Sequence, residues 1–265
     1  MDSEAWIRIA IFLGILAAMM GWELLAPRRG EFPARRRRWP GNLGIVVLDA
    51  LALRLVFPGA AVGMAVLAGQ QGWGIFNQLA VPVWLAGVLS FLVLDAVIYA
   101  QHVVFHKVPV LWRLHRMHHS DLHFDVTTGL RFHPLEILIS MALKWAVVAA
   151  LGAPAVAVLI FEVVLNGTSM FNHGNVKLPV ALDRRLRWLV VTPDMHRVHH
   201  SWVRRETDSN FGFNLPWWDR LFGTYRAQPE AGQDGITIGL DQFRASRESR
   251  LPSLLTQPFR NDKRP

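Results

Sequence analysis

Four long apolar stretches constrain this chain more than anything else in it, because each is long enough, as a helix, to enter or cross a bilayer. Trp6 to Ala26 is a run of about 21 residues, sufficient at ~1.5 Å rise per residue for a ~30 Å hydrocarbon core. Met1 to Glu4 is acidic and no small-residue cleavage pattern follows, so the run is expected to be a retained first span and not a removed signal. Leu43 to Ala68, interrupted at Pro58-Gly59, and Ala80 to Ala100 supply the second and third runs. Leu135 to Phe171 is too long for one span and divides at Gly152-Ala153-Pro154 into two arms of about 17 residues, the pattern of a hairpin that crosses fully or re-enters. With 52% hydrophobic residues in 265, the expected fold is an all-α integral membrane bundle of about three spans plus a hydrophobic helical hairpin.

Charge supplies the orientation. Arg28, Arg29 and Arg35 to Arg38 lie between the first two spans, whereas Gly69 to Leu79, between the second and third, has no Lys or Arg. The arginine segment is therefore expected on the cytoplasmic side, which places everything after the third span and the hairpin there too. Inside the spans, Asp49 and Arg54 are expected to pair, Asp95 lies close to where the histidines begin, and Lys144 and Glu162 need partners or a route to the interface. Absence of Cys removes disulfides, thiolate metal sites and cysteine nucleophiles. The net charge of +8 belongs largely to the arginine cluster, and no basic stretch interleaves exposed aromatics, so a nucleic-acid partner is not expected. Residues 1–227 read as a single domain with a histidine-rich core at 92–225, and 228–265 as a polar tail of loops with room for one short helix.

All eleven histidines lie between His102 and His200. They form His102-x-x-x-His106, His115-x-x-His118-His119 and His196-x-x-His199-His200, with His123, His133 and His173 standing alone. Spacings of three and four residues bring imidazoles to one side of a helix. Eight grouped rings exceed what one tetrahedral ion uses, so two ions account for them better, with His133 and His173 joining from the ends of the hairpin. The candidate metal ligands are thus His102, His106, His115, His118, His119, His133, His173, His196, His199 and His200; His123 fits no spacing. Asp121, Asp125, Asp194 and Asn172 are candidates to orient the rings, or equally to cap turns. Imidazole alone does not identify the metal, since zinc competes strongly for such ligands.

These residues resemble the fatty acid hydroxylase and sterol desaturase superfamily. The resemblance rests on Tyr99-x-x-His102-x-x-x-His106, Leu111-Trp112-x-x-His115-x-x-His118-His119-Ser120, Arg131-Phe132-His133-Pro134-x-Glu136, Asn172-His173 and Thr192-Pro193-Asp194-x-His196-x-x-His199-His200-Ser201. Asn210-Phe211-Gly212 and Trp218-Asp219-x-x-Phe222-Gly223-Thr224 extend it. It implies a helical membrane bundle with a cytoplasmic histidine-rich cap and two iron ions, sometimes isolated as zinc. It also implies dioxygen-dependent hydroxylation or desaturation of a lipid-like substrate: a sterol, hopanoid, fatty acyl chain, carotenoid or ether lipid. No GxGxxG fingerprint or iron–sulfur cysteine set is present, so electrons are expected from a ferredoxin, cytochrome or reductase partner. A membrane zinc hydrolase and a metal transporter use similar side chains. A transporter, however, places its ligands near the bilayer midplane.

Overall fold

The structure, a computed structural model, describes residues 3–30 and 32–261. Of the acidic segment Met1–Glu4, Met1, Asp2 and the side chain of Glu4 lie outside the described residues, as do residues 262–265 of the tail. All regular elements are helical; among the described residues there is no named strand, only two isolated bridges.

The apolar runs become helices whose ends follow local chemistry. Helix α1 spans Ser3–Leu25, α2 Phe32–Val56 and α3 Ala60–Gln71, the last two separated at the expected Pro58-Gly59 break. After a short α4 (Ile75–Gln78), α5 runs Val83–Lys107, extending the third apolar run past His102 and His106. Helix α6 (Pro109–His119) starts with Pro at its first position, where a missing N–H costs nothing. The hairpin is α7 (Pro134–Leu151) and α8 (Ala155–Asn172). Gly152 between them takes the left-handed conformation (φ 68°), and a Cβ there would stand 2.5 Å from the Trp73 carbonyl. Five helical segments, Trp6–Leu25, Arg35–Gln78, Val83–Lys107, Pro134–Leu151 and Ala155–Asn172, are long and apolar enough to cross a membrane. Val47, Leu51, Leu55, Val83, Trp84 and Ile160 point outward from them, an arrangement that suits lipid and not water. The chain is an integral membrane protein.

Between these helices Leu94, Ile98, Met141, Val148, Val158 and Phe161 form the main apolar core. Asp49 and Arg54 do not form the expected ion pair among the described contacts; Asp49 Oδ1 is buried with no hydrogen-bond partner. Lys144 and Glu162 do find partners: Glu162 lies 3.4 Å from Lys144 Nζ and 2.8 Å from Arg8 Nη1. Asp95 accepts from Trp218 Nε1 (2.8 Å) and from the Leu215 amide, anchoring a later loop to α5.

The remaining helices are short: α9 (Val180–Leu186), α10 (Pro193–His199), α11 (Arg204–Thr207), α12 (Trp217–Leu221), α13 (Gly232–Gly235) and α14 (Leu251–Thr256). Residues 228–261 pack back onto the body. Leu254 is buried with Ile45 of α2 and Met117 of α6, and Gln257 is fully buried against Ser120. The arginine segment is more than a charged boundary. Arg38 is buried and forks onto both Asp121 oxygens (2.6 Å each) and onto Asp125 (2.9 Å), while Arg35 pairs with the buried Glu23 of α1. Span helices and histidine-bearing loops are thereby tied together.

Candidate metal centre

The carboxyl ends of α5 and α8 and the amino end of α7 meet at one end of the bundle, and α6 and α10 pack there. Nine imidazoles converge at that place in two groups, His102, His106, His115, His119 and His199 in one, His118, His173, His196 and His200 in the other. All nine are buried. Helical rotation explains the partition. At about 100° per residue, positions i and i+4 share a face more closely than i and i+3. His115 and His119 accordingly serve one group while His118 faces the other; on α10 and its cap, His196 and His200 stay together and His199 crosses over. Each triplet straddles both groups and does not serve one side, as the spacing alone suggested.

The inward atoms are Nε2. His102 and His115 Nε2 lie 3.1 Å apart, and His119 and His115 Nε2 3.2 Å. In the four-ring group the His118–His200 and His196–His173 separations are 3.1 Å, and His173 lies 3.2 Å from both His118 and His200. Two nitrogens each about 2.1 Å from one cation stand roughly 3.0 Å apart at a right angle and 3.4 Å at the tetrahedral angle, so these spacings fit a shared ion. His106 and His199 Nε2 are buried without a hydrogen-bond partner, as befits nitrogens reserved for a metal.

Outward nitrogens fix the tautomers. Nδ1–H donates to Phe211 O (2.7 Å) from His102, to Ser209 O (2.7 Å) from His199, to Arg131 O (3.1 Å) from His118 and to Ser169 O (2.8 Å) from His173. His115 donates to Glu136 Oε1 at 2.7 Å, and His106 to Asp208 Oδ1 at 3.3 Å. An N–H on Nδ1 leaves the Nε2 lone pair for a metal. Burial pushes His115 and His173 down to about 3 and holds His118, His119, His196, His199 and His200 well below the usual imidazole value, so the rings are neutral at neutral pH. The cluster is capable of holding metal ions.

The tenth candidate, His133, stands outside both groups. Its Nδ1 accepts from the Leu135 amide as the N-cap of α7, and its Nε2 faces Leu255 O at 3.3 Å, so both nitrogens serve local structure. His123 lies outside both groups as well. The expected orienting residues also differ. Burial would raise the Asp121 carboxyl, but Arg38 and Arg131 beside it hold it below the ordinary carboxylate range. Asp125 shares Arg38, and Asp194 pairs with Arg197 and Arg28. Asn172 donates to Phe213 O, and Thr192 is the N-cap of α10. The orienting work falls instead to Glu136, Asp208 and four carbonyls. Glu136 carried a signal, standing three residues past His133 in the first turn of α7; Asp208 carried none. Two of those carbonyls flank Asn210, whose left-handed backbone (φ 52°) turns the chain so that Ser209 O meets His199 and Phe211 O meets His102. Asn210 is held by Met195 O and Arg226 O, and Asp219 accepts from the Phe211 and Gly212 amides.

Aromatic rings enclose the cluster. Phe132 stacks on His118 with centroids 4.4 Å apart, Phe124 on His173 at 5.5 Å, and Phe211 lies edge-on to His102, His106 and His199. Trp112 is buried against His106 and His119, whereas Trp202 and Trp217 are exposed. A cavity of about 460 Å³ opens from His102, His115 and Phe213 between α1, α2, α5, α7 and α8 into the membrane-spanning part of the bundle.

A helical membrane bundle with paired clusters of buried histidines is the class that fold and site define. The sequence profile of the fatty acid hydroxylase family matches residues 87–224, which include every one of the nine converging rings. The chain belongs to that family, within the fatty acid hydroxylase and sterol desaturase superfamily. It is 33% identical over 151 residues to the ornithine lipid hydroxylase OlsE of Rhizobium tropici, covering 57% of this chain and 45% of the relative. An alkylglycerol monooxygenase of Xenopus tropicalis is 29% identical over 160 residues (58% and 34%). The very-long-chain aldehyde decarbonylase GL1-1 of Oryza sativa subsp. indica is 30% identical over 176 residues (61% and 28%). The chain spans less than half the length of each of these relatives. No solved structure matches it.

Proposed function

We propose that this chain is a membrane-bound di-iron oxygenase that hydroxylates or desaturates a lipid-like substrate with dioxygen and external electrons. One ion would be held by His102, His106, His115, His119 and His199, the other by His118, His173, His196 and His200. Bound there, iron supplies the redox chemistry with dioxygen that no side chain in the cluster offers. The observation that carries the reading is the convergence of nine buried Nε2 atoms, six of the rings being tied by Nδ1 to an outward acceptor. Their place at the ends of α5 and α8, not mid-span, favours an enzyme over a transporter.

The protein's own part is positioning and exclusion of water. Glu136 and the carbonyls of Phe211, Ser209, Arg131 and Ser169 hold the rings, the aromatic jacket keeps the cluster dry, and the cavity admits a chain from the bilayer. Hydroxylation places one oxygen atom on a C–H carbon and reduces the other to water with two electrons and two protons. Desaturation takes two hydrogens from the substrate and, with the same external supply, reduces both oxygen atoms to water. Those electrons would come from a ferredoxin, cytochrome or reductase. The exposed Arg36 and Arg37 of α2, and Arg184 and Arg185 of α9, would offer basic groups to such a donor on the side proposed to be cytoplasmic.

The test is a comparison of lipid extracts from cells with and without the active protein, under oxygen and without it. A lipid heavier by one oxygen or lighter by two hydrogens is expected, and it disappears in His118→Ala and in His199→Ala. An unchanged profile with metal-loaded, reductant-supplied protein overturns the reading, and product formed under strict anaerobiosis replaces it with a zinc hydrolase.

A further inference from the structure

Surfaces that face water seldom gather large apolar side chains, yet five meet outside the membrane-spanning helices of this chain. Leu189 is 65% exposed, Leu221 68% and Phe222 62%, with Trp188 and Trp217 beside them. Two segments distant in sequence build the patch, the turn after α9 and the short α12. Trp217 Nε1 donates to the Trp188 carbonyl at 2.7 Å. Arg220 donates to the Arg187 carbonyl, and its guanidinium lies 3.8 Å from the centre of the Trp188 ring. The Trp217 donor is thus satisfied within the patch, so that ring can enter an apolar medium without stranding a polar group.

The level of the patch along the spans says what covers it. On α5 the side chains of Val83, Trp84, Val88, Leu89 and Val104 face outward. From Val83 to Val104 is about 32 Å of helical rise, which matches a ~30 Å hydrocarbon core. Tyr99 lies about 8 Å and Asp95 about 14 Å inside the Val104 limit. The patch is fastened at that depth: the Phe222 ring stacks on Tyr99 with centroids 5.5 Å apart, and Trp218 Nε1 donates to Asp95 at 2.8 Å. Leu221 and Phe222 therefore continue the lipid-facing surface of α5. Charge agrees, since the exposed charged side chains of residues 177–227 are all basic and every acid there is buried or half-buried. Trp, Leu and Phe on a cationic surface is the composition of an element that lies in a membrane interface.

We propose that Trp188, Leu189, Trp217, Leu221 and Phe222 form a foot on which the histidine-bearing end of the chain rests in the adjoining leaflet, its partner being the lipid surface itself. Asp219, in the middle of α12, accepts from the Phe211 amide, and the Phe211 carbonyl meets His102. The foot and one support of the cluster thus belong to a single hydrogen-bonded segment. The placement stands apart from the oxygenase reading: it concerns which surface meets lipid and not what reacts inside.

The experiment places a bimane fluorophore on single cysteines in the full chain, one chain per nanodisc of phosphatidylcholine with phosphatidylglycerol. The chain has no Cys of its own, so each label reports one position. Leu189→Cys, Leu221→Cys and Phe222→Cys are compared with Val47→Cys, on the outward face of α2, and with Asp241→Cys, at an exposed carboxylate. Quenching by a nitroxide carried on the lipid headgroup or at the top of the acyl chain is expected to be at least about threefold stronger at the foot than at Asp241→Cys, with iodide quenching weakened toward that at Val47→Cys. Iodide quenching equal to that at Asp241→Cys, with nitroxide quenching no stronger than there, overturns the proposal. Labels shielded from both quenchers also overturn it, because protein then covers the patch, whether a second copy or an acidic donor. All three foot positions are exposed, and any one that fails to fold leaves the other two to decide.

Discussion

Glu136 offers the sharpest test of how the histidines are held. Its Oε1 accepts from His115 Nδ1 at 2.7 Å, the shortest of the two carboxylate contacts to the cluster, and it is buried. His115 Nε2 stands 3.1 Å and 3.2 Å from those of His102 and His119, so a tilt of this ring disturbs the five-ring group directly. Losing such a partner typically costs a metal site ten- to hundredfold in affinity, about 1.4 to 2.7 kcal/mol. Glu136→Gln keeps an acceptor oxygen but replaces the carboxyl with an amide, and about tenfold is expected. Glu136→Ala leaves a buried N–H without an acceptor, and about a hundredfold is expected. Asp208 provides the internal control: its bond to His106 is 3.3 Å, and it is shared with Arg204 and Lys107, so Asp208→Asn should weaken the site only about threefold. The assay is chelator competition on purified protein loaded with zinc or iron, carried out in a His173→Ala background so that the five-ring group is read alone. Unchanged affinity in Glu136→Ala, in protein that melts normally, would refute the orienting role.

Three further outcomes follow from the same geometry. A Cβ on Gly129 would stand 2.5 Å from Ser169 O and 3.0 Å from His173 Nδ1, so Gly129→Ala should displace that ring and reduce bound metal from two equivalents toward one by elemental analysis. Because burial holds His115 and His173 near 3 while an unfolded imidazole titrates near 6.5, the unfolded chain binds more protons between those values. Stability of the metal-free protein is therefore complete above about pH 6.5 and lost as pH falls toward 3, by up to about 1.4 kcal/mol per pH unit for each such ring, and a melting temperature independent of pH across that range would contradict it. Arg38→Met strands Asp121 and Asp125 in a buried place and should cost about 3 to 5 kcal/mol, with Arg38→Met plus Asp121→Asn recovering part of the loss in chemical denaturation.

Apolar length located the membrane helices, because a span must be long and a hairpin must turn: Gly152 and Pro58-Gly59 mark real breaks, although α2 starts at Phe32 and carries the arginine segment within it. Histidine spacing located the cluster, since rings three and four residues apart lie toward the same side of a helix. What spacing did not show was the division of each triplet between two groups, which depends on how α6 and α10 face one another across the bundle. His133 looked like a ligand because of where it lies relative to the hairpin, yet Pro134 makes it the residue before a helix, and its nitrogen caps that helix. Asp208 and the carbonyls at Ser209 and Phe211 were invisible because backbone acceptors carry no side-chain signature and are aimed by the left-handed turn at Asn210.

Helix α6 brings three of the nine rings, and its arginines are held from far along the chain: Arg113 donates to the carbonyls of Pro258 and Arg260, and Arg116 to those of Gln257 and Arg260. During synthesis the membrane helices emerge well before those acceptors do. The rings on α6 therefore await residues made some 140 positions later before their helix is clamped, as the separations of 141 and 144 residues from Arg116 require. Any metal taken up by the cluster would then meet a firmly held α6 only once residues 257–260 have been made.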